Sequence, residues 1–235
     1  MKTIGLIGGM SWESTLEYYR ILNEKIKERL GGFHSAKCIL YSVDFEEIEK
    51  LQHQGNWDEA TKLMVDAAQR VERAGADFLL ICTNTMHKMA DEVQENIGIP
   101  LLHIVDATAE KIKAQGMKKV GLLGTRFTME EEFYRGRLEE RHGLEVLIPD
   151  EKERQDIHEI LYTELCMGQI KKLSQDRFEQ IIGNLESRGA EGIILGCTEI
   201  PLLIKQEDYE IPLFDTTSLH ATQAVEFAIS GTNNI

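Results

Sequence analysis

The four cysteines of this 235-residue chain, Cys38, Cys82, Cys166 and Cys197, form no CxxC pair, and no histidine stands at metal-ligand spacing from them. Zinc binding and a disulfide framework are thereby excluded, and free thiols in a reducing cytoplasm are expected. No apolar run approaches the roughly 20 residues needed to span a bilayer. The opening MKTIGLIGGMSWES interrupts its apolar stretch with glycines, where a signal peptide keeps one continuous. Positive charge is scarce: 26 Lys and Arg against 40 Asp and Glu leave a net charge of −14, which argues against nucleic acid or anionic membrane as a partner. Gly5-x-x-Gly8-Gly9 does not complete GxGxxG, and there is no GxxxxGK[ST] loop, so dinucleotide and triphosphate sites lack support. Proline is limited to four residues and no Pro- or Ser-rich linker or low-complexity segment occurs, so any two parts of the chain should pack closely.

What is present is a repeat. Gly75-Ala76-Asp77-Phe78-Leu79-Leu80-Ile81-Cys82-Thr83-Asn84-Thr85 has a later counterpart in Gly189-Ala190-Glu191-Gly192-Ile193-Ile194-Leu195-Gly196-Cys197-Thr198-Glu199. Aligning Gly75 with Gly189 sets Cys197 opposite Thr83, each eight residues on, and leaves Cys82 out of the pairing. The order around the copies also recurs. Lys2–Ile7 and Lys119–Leu123 are short apolar runs ending in glycine, and Gly5 to Thr83 and Gly121 to Cys197 span 78 and 76 residues. Ile99-Pro100-Leu101 is matched by Ile211-Pro212-Leu213. Strands are predicted at the first apolar run, at 37–43, 78–81 and 99–104, and then at 119–123, 144–148, 192–195 and 211–214. Helices lie between, one of them over about 128–141, and a last one over about 217–229 could pack back on the first half.

Near-continuous apolar strands alternating with helices indicate parallel βαβ units covered on both faces. The expected fold is α/β with two similar lobes, each a four-stranded parallel sheet with helices on both faces, related by a pseudo-two-fold axis. The boundaries expected are 1–104 plus 214–235 for one lobe and 105–213 for the other. Ligands of parallel sheets bind beyond the carboxyl ends of strands. Thr83 and Cys197 both fall there, and the symmetry expects them on opposite sides of one cleft. Two acid/base groups so placed suit inversion at a carbon next to a carboxylate, where one removes a proton from one face and the other returns it to the opposite face. A helix N-terminus after Cys197 is expected to lower the thiol pKa toward neutrality.

The segments Ile-Gly-Leu-Ile-Gly-Gly-Met-Ser near the start, Thr83-Asn84-Thr85-Met86-His87 and Gly196-Cys197-Thr198-Glu199 resemble the cofactor-independent aspartate/glutamate racemase family over nearly the full chain. That family usually reads Cys-Asn-Thr-x-His at the first site, so the chain is similar to a variant branch with threonine there. The resemblance implies an isomerase that needs neither pyridoxal phosphate nor metal, a small amino-acid substrate and a homodimer. It implies Cys197 as the base and Thr83 as the group on the other face; a hydroxyl is a poor acid, so conversion should be faster from the enantiomer whose proton faces Cys197, and the family analogy makes that direction L to D. Asn84, Thr85 and Thr198 would hold the α-carboxylate, and Met10, Ser11, Thr125 and Thr128 match other pocket positions. Aspartate racemases of the family commonly place an arginine near Gln52 and a lysine where this chain has Cys166. Gln52 is therefore a pocket position without the usual cation, and Arg126 or His53 would have to meet a distal carboxylate.

Other readings stay open. Cys82 is expected to be a small core residue, and Cys38 and Cys166 mainly packing. His87 and His103 could orient polar groups, although histidines near a helix start commonly serve only as hydrogen-bonded structure. A single-thiol decarboxylase or isomerase of the same fold group, or an amino-acid binding module weakened in catalysis, would keep Cys197 and leave Thr83 without a role.

Overall fold

Three apolar runs build the first sheet. Ile4–Gly8 (β1), Cys38–Ser42 (β2) and Phe78–Ile81 (β3) pair in parallel in the order β2-β1-β3. β1 and β3 are buried throughout, whereas β2 is a half-exposed edge. Side chains alternate across the sheet. Ile7, Leu79 and Ile81 share a core with Met64, Ala67 and Val71 of the helix Trp57–Arg73, while Ile4, Leu6, Phe78 and Leu80 meet Tyr18, Leu22 and Ile26 of the helix Trp12–Leu30. Ala221, Ala224, Val225 and Ala228 of the last helix complete this second layer, as the sequence suggested.

The computed structural model describes residues 1–230. It divides into a first unit, 1–104 with the chain from His220 onward, and a second, Val105–Leu219. The first contains α1 (Trp12–Leu30), α2 (Phe45–His53), α3 (Trp57–Arg73), a 3-10 turn (Thr85–Met89) and α4 (Ala90–Glu95). The second begins within α5 (Ile104–Ala114). It continues through β4 (Lys119–Gly124), α6 (Arg126–Glu130), α7 (Glu132–Gly136), a π turn (Arg137–Arg141), β5 (Glu145–Leu147), α8 (Glu151–Thr163) and a 3-10 turn (Leu165–Met167). Then come α9 (Lys172–Ser187), β6 (Gly192–Gly196), α10 (Ile200–Leu203), β7 (Leu213–Asp215) and the start of α11 (Thr216–Ile229). Its parallel sheet has the order β5-β4-β6-β7. No helix among the described residues is long and apolar enough to cross a membrane.

The sheets have three and four strands rather than four each. The expected strand at 99–104 is reduced to one bridge, Leu79 with Leu101, supported by hydrogen bonds from the Leu79 N–H to Pro100 and from the Leu102 N–H to Leu79. Pro100 has no N–H to give, and α5 begins at Ile104, so no length remains for a ladder. After Pro212 the chain stays extended to Asp215, long enough to pair with β6. That pairing keeps 213–215 in the second unit and moves the return to the first from 214 to His220. The helix expected over 128–141 is broken at Glu131, whose backbone is extended.

Candidate active site

In the first unit, β1 ends in a turn that only glycine can make. Gly9 has a φ of +95°, and a Cβ there would collide with the Val43 carbonyl. Met10 and Ser11 follow, both buried. Ser11 caps α1 by accepting a hydrogen bond from the Ser14 N–H at 3.3 Å. The Ser14 hydroxyl donates to the Cys82 carbonyl at 3.3 Å, which ties this turn to the end of β3. Cys82 itself lies in the core, where burial pushes its thiol far up; it behaves as the small apolar residue expected of it. Thr83 is half-buried, and Asn84 and Thr85 are buried at the start of the 3-10 turn. His87 reaches back to the Thr83 carbonyl at 2.7 Å. Gln52, from α2, donates its amide N–H to the Met86 sulfur at 3.0 Å.

In the second unit, β4 and β6 end side by side at Gly124 and Gly196. A Cβ on Gly196 would stand 2.8 Å from the Leu123 carbonyl, and one on Gly124 2.8 Å from the Gly196 carbonyl, so the strands close only because both residues lack side chains. Thr125 and Cys197 each follow one residue later on adjacent strands. Thr125 caps α6 by accepting from the Thr128 N–H, and the two hydroxyls are 3.2 Å apart. The Cys197 thiol donates to a Glu199 carboxylate oxygen at 3.0 Å, and the Thr198 hydroxyl donates to the same oxygen at 2.9 Å. Glu199 is 4 % exposed.

This setting reverses one electrostatic expectation. Cys197 has its thiol pKa raised well above the ordinary value, first by burial, then by the Glu199 charge and by nearby Cys166. α10 is a helix of only four residues, and what its N-terminus offers is outweighed by the buried carboxylate. At neutral pH the group at Cys197 is a thiol with an acceptor in place, not a free thiolate. Glu199, present in the Gly196–Glu199 motif, was not among the site residues expected from the sequence, and the structure places its carboxylate against Cys197 and Thr198. The signal was there: an acid two residues beyond the candidate base.

Other expected partners are otherwise engaged. The Thr198 hydroxyl has its single proton on Glu199, so it orients that carboxylate in addition to any role toward a substrate. Arg126 is half-exposed and paired with Glu130, which also takes Arg154 at 2.8 Å. His53 is half-exposed and sits 3.0 Å from Glu49. Neither side chain is reserved for a distal carboxylate.

The ladders test the repeat independently of sequence. Gly5 pairs with Leu79 in the first sheet, and Gly121 pairs with Ile193 in the second. Gly75 and Gly189, four residues before those partners, both have φ above +90°. Carried four residues past the partners, the same register sets Thr83 and Cys197 at equivalent places, each beyond the end of its strand.

Comparison with known proteins agrees in one direction. The profile of the Asp/Glu/Hydantoin racemase family matches residues 7–224. The chain is 27 % identical over 230 residues to the broad specificity amino-acid racemase RacX of Bacillus subtilis, covering 94 % of this chain and 96 % of that one. A Yersinia pestis crystal structure, provisionally named as an Asp/Glu racemase, superposes with a TM-score of 0.91 at 55 % identity, covering 97 % of this chain and all of its own. An aspartate racemase homologue from Pyrococcus horikoshii superposes with a TM-score of 0.84 at 39 % identity, covering 97 % and 99 %.

Proposed function

Because the chain belongs to the Asp/Glu/Hydantoin racemase family, we propose that it inverts the α-carbon of aspartate or glutamate without a cofactor, using Cys197 and Thr83 on opposite faces of that carbon. The observation that carries this reading is the Cys197 thiol, half-buried and hydrogen-bonded at 3.0 Å to a carboxylate that can take its proton. As that proton passes to Glu199, sulfur becomes a thiolate able to remove the substrate's α-proton. The negative charge then moves into the substrate carboxylate as an enolate. Asn84 and Thr85, with the Thr198 main chain and other loop N–H groups, are assigned to stabilise it, as preorganised donors do for an oxyanion. Met10, Ser11, Thr125 and Thr128 are assigned to line the pocket.

Thr83 returns a proton to the other face. A hydroxyl is a far weaker acid than a thiol, so the two half-reactions differ in rate, and the family resemblance assigns L to D as the faster direction. The two enantiomers remain equally stable, so kcat/KM is equal in the two directions and the bias lies in kcat, with KM changing in proportion. Gln52, a neutral amide where relatives commonly carry a cation, holds the distal carboxylate less strongly, and the broad specificity named for RacX supports assaying several side chains. The first test is proton exchange. Purified protein in deuterated water should replace the α-proton of L-aspartate or L-glutamate, and no exchange with either would sink the assignment. Cys197→Ala should abolish exchange.

A further inference from the structure

His87 is 2 % exposed and uses both ring nitrogens. The Ile104 N–H donates to its Nε2 at 3.2 Å, so that nitrogen is unprotonated. The proton therefore resides on Nδ1, which donates to the Thr83 carbonyl at 2.7 Å. Its ring is packed against His103 at 4.5 Å and His220 at 5.7 Å, centroid to centroid. His220 is fixed in turn. Its Nε2–H donates to the Leu102 carbonyl at 2.8 Å, and its Nδ1 accepts from the Tyr18 hydroxyl at 2.8 Å. The hydrogen bonds thus set both the tautomer and the tilt of His87.

Thr83 lies beyond the last ladder pair of β3, Ile7 with Ile81, so the sheet does not hold its carbonyl. We propose that His87 is a positioning residue for proton return: its Nδ1–H clamps the Thr83 backbone and thereby places the Thr83 hydroxyl, without touching the substrate. The inference rests on Thr83 being the returning acid. A hydroxyl is a reluctant donor, so its step should tolerate misplacement poorly, and an error of about 1 Å can cost on the order of 100-fold. Cys197 is held by a different set of contacts, so its step should not depend on His87.

Two substitutions separate the two ring nitrogens. His87→Asn keeps an N–H near the Nδ1 position and loses the acceptor for Ile104. His87→Gln can accept from Ile104 and offers nothing to Thr83. With L-aspartate and L-glutamate in deuterated water, the readouts are inversion, α-proton exchange with retention, kcat against KM and melting temperature. His87→Gln is expected to lower the ratio of inversion to exchange on the order of 100-fold, with KM little changed, and His87→Asn to restore most of it. A ratio equal in wild type and both variants overturns the proposal, as does loss in Asn with retention in Gln. Failure of both variants to fold would make the ring structural and also overturn it. Wild-type protein that exchanges no α-proton overturns the racemase assignment instead, and this inference with it.

Discussion

The Cys197 thiol donates a hydrogen bond to Glu199 across 3.0 Å, and their pairing sets how the thiol responds to pH. Burial and the neighbouring carboxylate raise the thiol, so the protonated form dominates at neutrality and the thiolate grows as pH climbs. Alkylation of Cys197, followed by peptide mass spectrometry, should keep accelerating above pH 9 rather than level off near 7. A plateau at neutral pH would contradict the raised thiol. Thr83→Cys should speed conversion of the slow enantiomer by at least about 10-fold, since a thiol of pKa near 8.5 replaces a hydroxyl that does not titrate in water. Enantiomer-resolved kinetics would check it. The pairing of residues 83 and 197 was legible because glycines with positive φ mark both strand entries, and such glycines keep their identity. The Glu199 contact was not legible, because the direction in which a side chain turns depends on the backbone after Gly196 and on which groups water leaves.

Elements carry the next layer of stability. α5 is tied to the π turn by Asp106, which accepts two hydrogen bonds from Arg137, at 2.8 and 2.6 Å, and one from His142 at 2.8 Å. Burial pushes the Asp106 pKa up, but these donors outweigh it and the net shift is downward. A carboxylate depressed by folding adds stability above its unfolded pKa of about 3.9, and loses it as pH falls through the folded value. Asp106→Asn should therefore cost about 1–3 kcal/mol at pH 7, with the difference narrowing below about pH 4. Denaturant unfolding at the two pH values measures this. Strand positions were largely legible from apolar runs closed by glycine. The missing fourth strand of the first sheet was not, because the same Ile-Pro-Leu motif is followed by a helix three residues after Leu101 in one unit and by an extended Leu213–Asp215 in the other.

At the scale of the molecule, the chain leaves its first unit at Ile104 and re-enters it at His220, so the amino-terminal sheet is completed by the last helix. We propose that the 26.7 kDa chain works in the cytoplasm as a homodimer. Light scattering should then give about twice the chain mass, and the monomer mass at assay concentration would refute it. By itself the sequence determined the parallel α/β layering, the return of the last helix and the equivalence of Thr83 with Cys197. Each follows from local periodicity and from glycines whose φ no other residue adopts easily. Only the tertiary structure decided that the thiol is raised rather than lowered, that it donates a hydrogen bond to Glu199, and that His87 grips Thr83. Those depend on burial and on hydrogen-bond partners as distant in sequence as Ile104 is from His87.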